Sequence, residues 1–292
     1  MKPTKPNYFR RYLLRRNFSR YTVRNYMRAL SDFRQSIHCR LSTVTYVEVA
    51  QYVEHLQAQG LAAKTINCRL SAVRQFYDFL KQDYLPHLVN PIRERSFLKE
   101  PHPLPCPASE EELSEFFAQI HSVRDRALCL ILLRSGLRVA EVVSLEVQDV
   151  DLRRQTLLVR EGKGRRGRLV YLSNDTITAL QECLRSRSWR RESKLFVSEK
   201  GQNKGRSLSI RGVQKRIQTY ARRAGVTLSG HRLRHSFATQ LLNQGVRLVA
   251  LQELLGHAQI ATTQRYARLA NRRVREEYFA GMNKILKSIG AP

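Results

Sequence analysis

The chain of 292 residues is short of acids: 24 Asp and Glu stand against 52 Lys and Arg, a net charge of +28. A globular protein ordinarily balances its signs, because like charges oppose compaction. An excess of this size calls for a polyanionic partner, and nucleic acid fits it best. Cysteine is sparse too. The five cysteines, at 39, 68, 106, 129 and 183, are odd in number and form no C-x-x-C. Neither a disulfide framework nor a zinc site is indicated, and a reducing, cytoplasmic setting is expected. Long apolar runs are missing; ALCLILL (127–133) is far below bilayer length. The opening MKPTKPNYFRRYLL has no apolar signal region and no myristoylation glycine, so no membrane partner is expected. There is no G-x-x-x-x-G-K-[ST] loop for a nucleotide and no carboxylate cluster for a two-metal nuclease. Chemistry on nucleic acid would then rest on cations and a side-chain nucleophile, with neither metal nor cofactor.

What proline there is marks a boundary. Six of the nine prolines fall between 86 and 107. Proline donates to neither helix nor ladder, so this stretch is expected to be an extended linker between residues 1–85 and 108–292. The first part reads as a helical bundle. Ser19 is a candidate N-cap for 19–37, where Val23, Tyr26, Met27, Leu30 and Phe33 recur at helical spacing. Thr45 and Glu48 make a capping box ahead of a second helix, which Gly60 stops. Residues 63–82 supply a third. Residues 1–31 carry nine Lys and Arg and no acid. Arg20, Arg24 and Arg28 repeat every four residues, which stacks them on one helix face. A solvated face is one reading; phosphate contact is the stronger, since residues 1–31 hold no acid to pair with.

The second part is mostly helical with a small sheet. Ser109 and Glu112 form another capping box. TLLVREGKGRRGRLVYL (156–172) switches period: two β-rich runs flank a basic turn, a hairpin signature. Four segments carry candidate chemistry. In GHRLRHSFATQLL, His231, Arg234 and His235 lie at helical neighbour spacing, pairing a phosphate-binding fork with proton-exchanging imidazoles. A plain surface helix could carry the same residues. In SGLRVAEVVSL, Arg138 has Glu141 at i+3, either an orienting partner or an ordinary ion pair. Lys163 sits between glycines at the hairpin tip, where an ammonium could protonate a leaving oxygen; Arg165 and Arg166 add cations beside it. His257 follows a helix broken by Gly256, and Tyr266 comes nine residues later. A phenol is a weak nucleophile unless cations stabilise its anion, and by itself Tyr266 reads as packing.

Together, SGLRVAEVVSL, GKGRRGRLVYL, HRLRHSFATQLL, LQELLGH and ATTQRYARL, in this order and at these distances, closely resemble the tyrosine recombinase (phage integrase) family, nearest its compact Xer-like group. The resemblance covers essentially the whole chain. It implies a two-domain DNA clamp: a helical core-binding domain and an α+β catalytic domain. It implies Tyr266 as nucleophile, Arg138 and Arg234 as the catalytic arginines, and His231 as the histidine of the H-x-x-R box. Lys163 matches the hairpin lysine, His257 the His/Trp position, and Glu141 the acid after the first arginine. The hairpin returns as LVYL where many relatives have Val-Pro-Leu, which leaves Lys163 and its neighbouring cations as alternatives. The activity implied is cleavage and rejoining of double-stranded DNA core sites through a 3′-phosphotyrosyl bond and a Holliday junction.

The resemblance further implies a homotetramer on DNA, with or without a partner recombinase or accessory protein, built by exchange of a C-terminal helix at about 272–288. Val274, Tyr278, Met282, Ile285 and Leu286 would form its apolar face; the alternative is a helix folded onto its own domain. Bound to DNA, the protein would be nucleoid-associated. Resolution or integration of a mobile element or replicon is the expected task. A type IB-like topoisomerase would share the chemistry but work as a monomer. A non-catalytic DNA-binding protein would not need all six site positions, and an RNA-binding protein has only the charge in its favour.

Overall fold

The computed structural model describes residues 6–100, 107–160, 167–186, 193–199, 201–256 and 267–288. The chain divides into two compact units, Met1–Pro103 and Leu104–Pro292.

The first unit holds α1 (Pro6–Arg15), α2 (Arg20–Ser36), α3 (Tyr46–Ala58) and α4 (Ala63–Asp83). The expected caps form. The backbone N–H of Thr22 donates to the Ser19 hydroxyl at 3.0 Å, and that of Thr45 donates to Glu48 at 2.6 Å. α1 lies ahead of the predicted helices. Its Phe9 and Leu13 join Leu30, Phe33, Leu70, Phe76 and Phe79 in one core.

The stretch expected as a linker from 86 is only partly one. Ile92 is buried, and Leu88, Phe97 and Leu98 pack on the first unit's core around a short 3-10 turn, Glu94–Ser96. Two asparagines supply what the prolines and irregular backbone cannot. The Asn67 amide exchanges a reciprocal pair of 2.9 Å hydrogen bonds with the Leu98 backbone. The Asn90 amide donates to the Arg74 carbonyl and Asp78, and its oxygen accepts from Ile92. Proline excludes regular structure but not burial of the apolar residues beside it. The first unit therefore runs well beyond residue 85.

The second unit is a helical domain with one small sheet. It holds α5 (Glu110–Ala118), α6 (Val123–Arg134) and α7 (Val139–Ser144). β1 (Val150–Asp151), β2 (Thr156–Val159) and β3 (Arg168–Tyr171) follow, then α8 (Asn174–Arg185), α9 (Ile210–Arg223), α10 (Gly230–Asn243), α11 (Leu248–Leu255) and α12 (Ala267–Ser288). The predicted hairpin is β2–β3, antiparallel, with Thr156 opposite Tyr171 and Val159 opposite Arg168; β1 extends it on the β2 side. The α5 capping box forms as read, at 2.9 and 3.2 Å.

Helix α6 is buried at every residue but Val123 and Arg126 and is the axis of this unit's main core. A second cluster joins Tyr171, Phe237, Leu241, Leu251 and Leu254 to Tyr278, Met282, Ile285 and Leu286 of α12. The apolar face predicted for the last helix is real over these four residues, and here it packs on its own unit. The side chain of Val274 lies outside the described residues. The Tyr278 hydroxyl, fully buried, donates to the Arg134 carbonyl at 3.2 Å.

Candidate active site

The site is assembled where the turn after α6, strand β3, helix α10 and the end of α11 meet. Gly136 makes the turn with φ +64°, and a Cβ there would lie 2.3 Å from Phe237 Cδ1. Only glycine fits both the conformation and the space. The turn delivers Arg138 to the N-terminal end of α7, extended at φ −77°, ψ 150°.

Glu141 is the centre of the arrangement and is 4% exposed. Its Oε2 accepts the Arg138 backbone N–H at 2.8 Å, and its Oε1 accepts the Arg138 guanidinium at 2.8 Å. Arg168, the first residue of β3, donates both terminal nitrogens to the same carboxylate at 2.9 Å each. Arg234 Nη1 lies 3.9 Å from Glu141 Oε2. Burial opposes the Glu141 charge, but the hydrogen bonds and charges of Arg168 and Arg138 outweigh it and hold the carboxyl below its ordinary range.

Arginines also close the end of α11. A helix leaves its last carbonyls without partners in the helix. Here Arg168 Nε donates to the Leu254 carbonyl at 2.7 Å, and Arg234 Nη2 donates to the Leu255 carbonyl at 2.6 Å. Positive charge at a helix C-terminus is favourable in itself. Gly256 then leaves the helix in the left-handed region, with Arg168 packed against it. Arg234 Nη1 also donates to the Gly136 carbonyl. Arg234 is thus 7% exposed, and burial, with Arg138 and Arg168 nearby, pushes it down to about 10. It remains a cation at neutral pH.

The predicted residues divide accordingly. Arg138, Glu141 and Arg234 are brought together. His231 and His235 stand exposed on α10 while Arg234, their helical neighbour, is drawn inward. Gly230 allows α10 to begin against α7; a Cβ on it would lie 2.4 Å from Val139 Cγ2. Arg20, Arg24 and Arg28 are exposed on α2 in the first unit, and among the described residues none pairs with a carboxylate. Arg10, Arg20, Tyr21 and Arg24 line a groove of about 1050 Å³ between α1 and α2. Lys163, Arg165, Arg166, His257 and Tyr266 lie outside the described residues.

Arg168 is the site residue that the motifs do not reveal. Its signal in the sequence is strand parity: Arg168 shares a face with Val170, which is fully buried, so it has to point inward and find an anion.

Residues 108–273 match the family model described as "Phage integrase family". Residues 7–83 match "Phage integrase, N-terminal SAM-like domain". Tyrosine recombinase XerA of Pyrococcus furiosus is 32% identical over 272 residues, covering 92% of this chain and 90% of that protein. Tyrosine recombinase XerC of Bacillus subtilis is 31% identical over 285 residues, covering 91% and 92%. Among solved structures, XerH site-specific recombinase in a post-cleavage complex with palindromic difH substrate matches with a TM-score of 0.68 and 25% identity, covering 89% of this chain and 80% of that one.

Proposed function

The chain belongs to the phage integrase family and is a tyrosine recombinase, an enzyme of site-specific DNA recombination; on that premise we propose that Tyr266 attacks a scissile phosphate of duplex DNA held by Arg138 and Arg234. The observation that carries this reading is the pair of arginines from separate elements gathered about one buried carboxylate, Glu141. Such an arrangement fixes guanidinium forks before substrate arrives. They then meet the charge that builds on the non-bridging oxygens without reorganising.

In this proposal the Tyr266 oxygen forms a bond to phosphorus as the bond from phosphorus to the 5′-oxygen breaks. The tyrosine proton passes to His231, which the fold leaves exposed. The 5′-oxygen takes a proton from Lys163. His257 donates a hydrogen bond to the phosphate. The 3′-phosphotyrosyl bond retains the energy of the broken phosphodiester, so the 5′-hydroxyl of a partner strand can reverse the step. Two rounds exchange both strands through a Holliday junction.

DNA is the substrate of the reading, in keeping with a XerH site-specific recombinase bound to palindromic difH substrate. The first unit would act as the core-binding domain, with Arg20, Arg24 and Arg28 on phosphates, and residues 108–292 as the catalytic domain. Arg165 and Arg166 would add contacts from the hairpin. Assembly would be a homotetramer in which α12 fills a neighbour's groove. The apolar face of α12 and the groove of α10, α11 and β3 that it fills here support this, since the same contacts serve either way. Bound to its site, the protein would be part of the nucleoid; among the described residues no helix is long and apolar enough to cross a membrane. Resolution or integration of a mobile element or replicon is the proposed task.

The test is covalent capture. A duplex selected for binding from a random pool, nicked to trap the intermediate, should become attached to the wild type and not to Tyr266→Phe. An adduct formed by the phenylalanine variant would remove Tyr266 from the role. Relaxation of supercoiled plasmid without joining two sites would favour a topoisomerase instead.

A further inference from the structure

Arg168 has no role in the chemistry above, yet its side chain holds Glu141 by two hydrogen bonds where that of Arg138 holds it by one. Its fork binds both oxygens of Glu141 at 2.9 Å, and its Nε binds the Leu254 carbonyl at 2.7 Å. Its side chain is 9% exposed against 24% for Arg138. Each of its three nitrogens already donates to a protein acceptor. The arrangement leaves Arg138 the accessible member of the pair.

The carboxylate contacts explain what Arg168 does for Arg138. Glu141 receives one bond from the Arg138 side chain and three from elsewhere: the Arg138 backbone and the two from Arg168. Without Arg168, the negative charge of Glu141 would fall on Arg138 and Arg234 alone. It would then compete with a phosphate for the same guanidinium. With Arg168 in place the carboxylate is compensated and fixed in plane, and its hold on Arg138 orients that side chain without cancelling it. The same guanidinium ties β3, the returning strand of the hairpin, to the last turn of α11. A lysine could supply the charge but not two parallel bonds and a third at an angle to them.

We infer that Arg168 is a positioning residue for the transesterification: it neutralises and orients Glu141 so that Arg138 is free to clamp the scissile phosphate. The inference rests on the reading of Arg138 as a clamp. The experiment compares single-turnover adduct formation on two nicked core-site duplexes. One has a normal scissile phosphate; the other has a methylphosphonate, which lacks one negative charge and so needs the clamp less. Arg168→Gln should bind the duplex as the wild type does but react about 100-fold more slowly on phosphate. On methylphosphonate its deficit should shrink to about tenfold or less. Arg168→Lys should remain slow on phosphate and show the same relief, and it carries the test if the glutamine variant does not fold. An equal deficit on both substrates would make Arg168 merely structural and overturn the inference. So would full activity of Arg168→Lys on phosphate. Arg138→Ala serves as the control. If it gains from methylphosphonate while the Arg168 variants do not, only the assignment of Arg168 fails. If it gains nothing, the clamp reading fails and the inference falls with it.

Discussion

At the scale of single residues, Glu141 is, among the described residues, the one anion held by three arginines, and removing its charge should be felt twice. Glu141→Gln keeps the shape but can offer only one good acceptor to four donors. Buried guanidinium groups left without their counter-ion are costly. Adduct formation is expected to fall by about two orders of magnitude, with DNA binding retained. The second effect is on stability against pH. The folded carboxyl lies below its ordinary range. Its contribution is therefore complete above the unfolded value of about 4.3 and is lost as pH falls through the lower, folded value. Denaturant titrations of wild type and Glu141→Gln should differ at neutral pH and converge as pH is lowered below about 4. A difference that stays constant across that window would show that the charge is not the source. Part of this was legible in the sequence: the i+3 spacing of Arg138 and Glu141 named the pair. The third and fourth members were not, because Arg168 and Arg234 reach Glu141 only through tertiary packing.

At the scale of elements, the site depends on how closely α10 approaches α7. The hydrogen of Gly230 faces Val139, and an added methyl would sit 2.4 Å from Val139 Cγ2. Gly230→Ala should push apart the helix carrying His231 and Arg234 and the turn carrying Arg138. A cost of about 1–3 kcal/mol is expected for the overpacking. Val139→Ala in the same chain should recover most of the stability and adduct formation, a coupling that a double-mutant cycle reads directly. The last helix gives a separate prediction. Tyr278 is fully buried and hydrogen-bonded to the Arg134 carbonyl. Tyr278→Ala should destabilise the second unit by about 3–5 kcal/mol, seen as a lowered midpoint in thermal melts. Most helices were plain from periodicity and caps, although α1 was not among those predicted. What periodicity could not say is where each helix docks. The same apolar face on α12 suits its own unit or a neighbour's, and here it lies on its own. Nor could it reveal that Ile92 buries and Phe97 packs on the core between prolines, because Asn67 and Asn90 make that possible.

At the scale of the whole molecule, the charge of +28 has to act on something. Arg20, Arg24 and Arg28 are exposed on α2 and have no carboxylate partner among the described residues. If each neutralises one phosphate, replacing all three with glutamine should weaken DNA binding on every sequence alike. The slope of log K against log salt should become shallower by about 0.9 for each phosphate no longer neutralised. Binding measured from about 50 to 200 mM salt checks this; an unchanged slope would make the stripe a solvated face. The change should leave the melting behaviour near that of the wild type, since exposed side chains that pair with no opposite charge contribute little to folding.

The sequence by itself determined the kind of molecule: a basic, mostly helical chain with a hairpin, and motifs in an order that named the family. These follow from local physics. Periodicity selects helix or strand, side-chain caps set helix ends, and charge selects the partner. Tertiary structure decided the rest. It gathered Arg138, Arg168 and Arg234 about Glu141, and it turned Arg234 inward while His231 and His235 stayed exposed. It also folded part of the proline-rich stretch into the first unit. Each of these depends on which acceptor a side chain finds in a distant segment, and a guanidinium chooses that by geometry in three dimensions.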